Sequence, residues 1–185
     1  MIYQRIAIVG VTGSGKTTLA RQVAARLDYP QIELDALFWE PDWVQASPDS
    51  FRARAAAAIS GERWVIDGNY NKTQDLIWPQ ADTLIWLDYA LPLILGRLVR
   101  RTLRRIITRQ ELWNGNRENL RSLLSSDSIL LWALKSYPKH RQVYPAKLQA
   151  PEYAHLHILH FRTPRQTQTW LESLPLAHPV SQLQD

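Results

Sequence analysis

The sequence predicts an α/β protein built on a mainly parallel sheet. Apolar runs of strand length fall at 4–9, 31–34, 63–66, 82–87 and 155–161. Segments of helical periodicity lie between them, near 15–27, 48–60, 91–109, 116–124, 128–148 and 164–174. Strands that alternate with helices return to the sheet through crossovers, which aligns them in parallel. The 185 residues bury a core without staples, so a single domain over 1–185 is expected.

The first strand, "RIAIV", runs straight into "GVTGSGKTT" and then into the helical pattern "LARQVAARL". The second, "QIELD", ends on Asp35 and opens a loop bounded by Pro41 and Pro48. There "SPDSF" supplies an N-cap and a first-turn proline for the next helix. The third, "RWVID", ends on Asp67, and in "IWLDYALP" Asp88 reads as the N-cap of a helix ahead of Pro92. Pro138 and Pro145 are expected to interrupt the helix over 128–148, and "LAHPVSQLQD" is expected to be a loose tail.

Gly10 to Thr17 fit G-x-x-x-x-G-K-[ST], a loop whose backbone amides surround phosphate groups. Glycine lets the chain curl with its amides inward, and the following helix offers its positive end. Lys16 neutralises the β and γ oxygens, and the Thr17 hydroxyl is suited to Mg²⁺. The expected nucleotide-binding set is Gly10, Thr12, Gly13, Ser14, Gly15, Lys16, Thr17 and Thr18.

In a parallel sheet, Asp35 and Asp67 both lie at the carboxyl edge, facing the same cleft as the loop. Asp67 suits the metal, directly or through its second shell, with Thr17 as its companion ligand; Asp35 suits orienting or deprotonating an acceptor. The stretch "GRLVRRTLRRIITR" carries Arg97, Arg100, Arg101, Arg104, Arg105 and Arg109. At about 100° per residue, Arg97, Arg100, Arg101 and Arg104 share one third of the helix, with Leu95, Val99, Leu103 and Ile106 opposite as the expected packing face. Guanidinium groups there suit a transferring phosphoryl group or a solvated basic face. Trp39 and Trp43 are weak candidates for stacking a base or sugar. His155, His157 and His160 lack companion carboxylates or thiolates and read as strand-surface residues.

Composition narrows the partners. Net charge is +5, and the excess is confined to residues 97–185, which carry 14 basic and 6 acidic side chains against 8 and 11 in 1–96. That asymmetry suits an anionic partner: a polyphosphate, a nucleic acid or an acidic membrane. The absence of cysteine excludes disulfides and thiolate metal sites. "MIYQRIAIVG" reaches a glycine turn too early for a signal peptide, and no run suits a membrane span. A cytoplasmic protein with no membrane partner is the expectation.

Taken together, the phosphate loop, "IELDALFW", "WVIDGNY", "LIWLD", "RRTLRR", "ELWNGNRE", "DSILLWAL" and "FRTPRQTQTWL" resemble the bacterial P-loop proteins labelled DNA topology modulation proteins. These sit in the nucleoside-monophosphate-kinase-like group with adenylate and shikimate kinases. The resemblance spans about 4–174. It implies a P-loop NTPase fold, with a five-stranded parallel sheet in the order 2-3-1-4-5 and an arginine-bearing helical lid over about 97–135, built around "LWNGNRENLR". It also implies that Arg97 and Arg101 contact adenine and phosphates, that Arg165, in the loop from Arg162, borders the adenine, and that Asn114, Gly115, Asn116 and Arg117 lie near substrate. Where adenylate kinases have Phe-Pro-Arg after the Asp-Gly of strand three, this chain has Asn69-Tyr70-Asn71. The arginine that grips a nucleoside monophosphate is missing, with Lys72 as the nearest substitute.

The expected activity is therefore transfer of the γ-phosphoryl of Mg·ATP to a small acceptor, with Lys16, Asp35, Asp67, Arg97, Arg101 and Arg117 as the catalytic set. The alternative is a nucleotide-dependent DNA-binding regulator, whose arginine helix would contact backbone phosphates. The acidic first half and the absence of a recognition-helix motif favour the enzyme.

Overall fold

The computed structural model describes residues 3–118 and 129–176. Five strands, β1 (Arg5–Gly10), β2 (Gln31–Glu33), β3 (Trp64–Asp67), β4 (Thr83–Leu87) and β5 (His157–Phe161), form one sheet in the order β2-β3-β1-β4-β5. All four pairings are parallel. The helices are α1 (Lys16–Leu27), α2 (Leu34–Phe38), α3 (Pro48–Ala58), α4 (Asn71–Ile77), α5 (Leu91–Ile107), α6 (Ile129–Leu148) and α7 (Pro164–Ser173).

Helices on both faces make the inner strands apolar throughout, because neither side of a residue pair meets water. Ala7 and Val9 point into one core layer with Phe51, Ile66, Leu84 and Trp86. Ile6 and Ile8 point into the other, with Val23, Ile85, Ile94 and Leu98. At the amino edge, Asp82 accepts hydrogen bonds from the backbone N–H groups of Tyr3, Gln4 and Arg5, which fixes the start of β1. Ser47 caps α3 with Pro48 following, as the sequence predicts.

Several elements depart from the sequence-based expectation. Asp35 is not a strand end: β2 stops at Glu33 and Asp35 sits in the first turn of α2. Helices α2 and α4, five and seven residues long, are too short to display a period. Residues 116–118 are not helical; Arg117 forms an isolated bridge with Glu111, closing a turn over 111–117. The rest of the expected helix, 119–124, lies outside the described residues, as does the tail beyond Leu176. Helix α6 runs on through Pro138 and Pro145, carrying Tyr144 and Leu148 into the core, so packing outweighs the lost hydrogen bonds.

Asp88 is no helix cap. Ala90 occupies that place without a side-chain bond, while the Asp88 carboxylate, 8 % exposed, takes Arg141 Nε of α6 at 2.6 Å and His160 Nε2 of β5 at 3.1 Å. It ties α6 to the sheet. His160, which sequence reading leaves on the surface, stacks on Trp86 with centroids 4.1 Å apart.

Helix α5 is rotated relative to the expected face. Ile94, Leu98 and Thr102 are its buried residues, whereas Val99, Leu103 and Ile107 are exposed. The i, i+4 series Arg97, Arg101 and Arg105 flanks the buried seam: Arg97 reaches the Ser14 carbonyl, Arg101 acts on Lys16, and Arg105 pairs with Glu118.

Phe51 is fully buried, edge-on to Phe38 at 5.1 Å and Tyr70 at 5.0 Å. Phe51→Ala will lower the unfolding free energy by about 3–5 kcal/mol, read from the urea midpoint.

Candidate active site

The loop after β1 is shaped by close packing. Gly10 has φ +149°, and a β-carbon there would lie 2.6 Å from the Leu87 carbonyl oxygen of the neighbouring strand. Gly15 caps α1 in the left-handed region at φ +99°, so the helix starts on Lys16 without a side-chain cap. The first-turn amides of α1 thus have no intrahelical acceptor and converge with the positive helix end, a site shaped for an anion.

Lys16 Nζ donates to the carbonyls of Gly10 (2.9 Å) and Val11 (3.3 Å). Burial of the ammonium lowers its pKa; the fields of Asp67 and Asp35 partly offset this, and Arg101 adds to it. Asn69, immediately after Gly68, holds the loop from the β3 side, accepting from Gly10 N–H at 3.1 Å and donating to the Gly10 carbonyl. Ser14, fully buried, offers its carbonyl to Arg97 Nη1 at 3.0 Å, and the Arg97 guanidinium also sits over the Tyr89 ring.

Asp67, at the end of β3, is 4 % exposed. Its Oδ1 accepts from Thr17 Oγ1 at 2.8 Å, while its Oδ2 is buried without a partner. Burial pushes its pKa up to about 6 against the pull of Lys16 and Thr17, with Glu33 and Asp35 raising it further. A hard divalent cation takes oxygen ligands, and the orphaned Asp67 Oδ2 beside the Thr17 hydroxyl has the donor chemistry for Mg²⁺.

Asp35 accepts from the Tyr70 hydroxyl at 2.5 Å. Burial and then the Asp35 charge push the Tyr70 phenol far above its usual range, so it stays a donor. Arg101 is largely buried, its Nε has no partner, and burial and Arg105 lower its pKa while Glu118 and Asp35 oppose this. Arg105 pairs with Glu118 at 2.7 Å.

Lys16, Thr17, Asp67, Asp35 and Arg101 thus lie within hydrogen-bonding or electrostatic reach of one another, and Arg97 holds the loop from α5. Arg117 and Arg165 stand apart: Arg117 is exposed and paired with Glu111 at 3.5 Å, and Arg165 is exposed on the first turn of α7. Trp39 and Trp43 pack edge-to-face on each other at 5.5 Å, and Trp39 on Phe38 at 5.0 Å.

Sequence reading missed four residues. Glu33, whose Oε2 accepts from Trp113 Nε1 at 2.8 Å, acts on Asp67 together with Asp35. Tyr70 and Asn69 sit in the stretch noted only for its missing arginine. His140 of α6 stacks on Tyr144, with Nδ1 buried and unpartnered; burial and then Lys16 lower its pKa to about 4, which keeps it neutral. No local pattern reveals it.

A family model described as ATPase family associated with various cellular activities (AAA) matches residues 6–66, the segment from β1 to β3. The fold is that of a P-loop NTPase. No curated protein matches the sequence. Among solved structures, a gluconokinase from Sinorhizobium meliloti 1021 is similar over 92 % of this chain and 93 % of its own, with 16 % identity and a TM-score of 0.51. A shikimate kinase from Bacteroides thetaiotaomicron (16 % identity, 91 % and 94 % covered, TM-score 0.53) is similar too. So is a shikimate kinase from Acinetobacter baumannii in complex with shikimate (19 %, 91 % and 91 %, 0.52). At these identities the likeness is one of fold. No helix among the described residues is long and apolar enough to cross a membrane.

The raised pKa of Asp67 carries a sign. Its native proton is held up to about pH 6, whereas the unfolded carboxyl releases its proton near 3.8. Stability from this group is therefore full below about pH 3.8 and falls by about 3 kcal/mol as pH rises through 6. Asp67→Asn will remove that slope without divalent cation and will be the more stable protein at pH 7.5, measured by urea unfolding across a pH series.

Proposed function

We propose that the chain is an ATP-dependent phosphotransferase that moves the γ-phosphoryl of ATP to a small acceptor. The observation that carries this reading is that Lys16, bonded to the Gly10 carbonyl, Asp67, bonded to Thr17, and Asp35, bonded to Tyr70, gather at one edge of the sheet, where both carboxylates act on the lysine. The kinase neighbours in fold support the same reading.

In this mechanism the amides of residues 13–18 and Lys16 hold the β and γ phosphates. Thr17 and Asp67 would hold Mg²⁺, which when bound would supply charge neutralisation for the phosphates. Asp35, kept in place by Tyr70, accepts the hydrogen of the acceptor hydroxyl. The acceptor oxygen bonds to γ-phosphorus as the bridge to the β-phosphate breaks, and the acceptor proton passes to Asp35. Arg101 and Arg97 face the charge on the transferring group, and their preorganised guanidinium groups make the reaction chiefly one of positioning and electrostatics. Arg165 would border the base, and Arg117 would act only after leaving Glu111.

A second reading, regulation through DNA as the topology-modulation resemblance suggests, is favoured by one observation. Arg100, Arg104 and Arg109 are exposed, and no ion pair engages them among the described residues. A duplex contact made by these groups would weaken steeply with salt.

Transfer from γ-labelled ATP with Mg²⁺ to nucleoside monophosphates, nucleosides, sugars and small hydroxy acids tests the enzyme. Label is expected on one acceptor class and is expected to drop by roughly a hundredfold or more in Lys16→Ala. ATP binding without transfer, together with salt-sensitive DNA binding, would establish the regulator instead.

A further inference from the structure

Two segments distant in sequence fold into matching turns. In 39–45, Glu40 N–H meets the Val44 carbonyl and Trp39 bridges Gln45; in 111–117, Leu112 N–H meets the Asn116 carbonyl and Glu111 bridges Arg117. Each turn passes through two left-handed residues, Asp42 (φ 59°) and Trp43 (φ 58°) in the first, Asn114 (φ 55°) and Gly115 (φ 80°) in the second. A tryptophan in that region is strained and persists only where its surroundings fix it.

The turns fix each other. Asn116, 4 % exposed, accepts from Trp43 N–H at 2.7 Å and donates to the Glu40 carbonyl at 2.8 Å. Asn114 donates to the Trp39 carbonyl at 2.5 Å, and Trp43 Nε1 to the Arg117 carbonyl at 3.2 Å. Trp113 reaches past them to Glu33, on the strand that leads into Asp35. Phe38 packs on both Trp39 and Tyr70, with centroids 5.0 Å and 4.6 Å away.

We propose that Asn116 and Trp113 are specificity-determining residues of the acceptor site. Asn116 latches loop 111–117 onto 39–45 as a roof, and Trp113 closes the wall at Glu33. The enclosed site admits a compact hydroxylated acceptor and excludes a nucleoside monophosphate and bulk water. The acceptor claim rests on the phosphotransferase reading; the latch itself does not.

Three measurements test it with Asn116→Ala and with Trp113→Phe, which keeps an aromatic ring but loses the five-membered ring of the indole and its N–H donor to Glu33. Wild type should place no label on adenosine, guanosine, cytidine or thymidine 5′-monophosphate; label on any of them overturns the acceptor class. ATP hydrolysis with Mg²⁺ should rise at least threefold in either variant, with ATP affinity within a factor of two, because opening the roof admits water. Unchanged or lower hydrolysis overturns the roof. Spin labels on the cysteine-free chain at Val44→Cys and Gln110→Cys should give one narrow distance, broadened and lengthened by Asn116→Ala. An unaltered distance in Asn116→Ala overturns the latch. A wild type that binds no ATP refutes the phosphotransferase reading, while the distance measurement still decides the latch.

Discussion

Parallel pairing forces every strand of the sheet to finish on the same edge, and the chemistry of this protein follows from that constraint. The loop after β1 and Asp67 after β3 meet because β1 lies between β3 and β4, with Ile8 opposite Asp67. Asp35 and Glu33 join them from the next strand outward. No local sequence pattern has to bring these groups together, since the hydrogen-bond register of β1, β2 and β3 does it. Helices on both faces then remove water from the same edge, which explains why a lysine and an aspartate there both shift toward their neutral forms.

That edge is anchored from outside by polar contacts of a different kind. Asn69 grips Gly10, Arg97 grips Ser14, and Asp88 draws α6 toward β5 through Arg141 and His160. Helix α6 in turn brings Tyr144 and His140 over the centre of the sheet. The phosphate loop therefore rests in a frame supplied by β3, α5 and α6, none of which is near it in sequence.

The sequence reveals the parts governed by local rules. All five strands, the G-x-x-x-x-G-K-T loop and the Ser47-Pro48 helix start are legible because alternation, glycine spacing and capping act over a few residues. The rotation of α5 is not, since its apolar stripe alone points to Leu95, Val99 and Leu103 as the packed face, whereas Ile94 and Leu98 pack against the sheet and the loop at Gly13, with Arg97 reaching the Ser14 carbonyl. Asp88 misleads similarly: a carboxylate before a proline-started helix is the pattern of a cap, but His160 from β5 and Arg141 from α6 claim it. Tyr70, Asn116 and His140 owe their places to long-range contacts, which leave no trace in a window of neighbours.

The buried carboxyl of Asp67 has a thermodynamic signature beyond folding. With its proton leaving near pH 6 and one oxygen unpartnered, it loses that proton whenever a cation settles beside it. Near that pH, loading the site is also an acid-producing reaction, so the heat of binding contains the ionisation heat of whatever buffer takes up the proton. Two buffers of equal pH and different ionisation enthalpy will then give two different calorimetric curves for one and the same affinity.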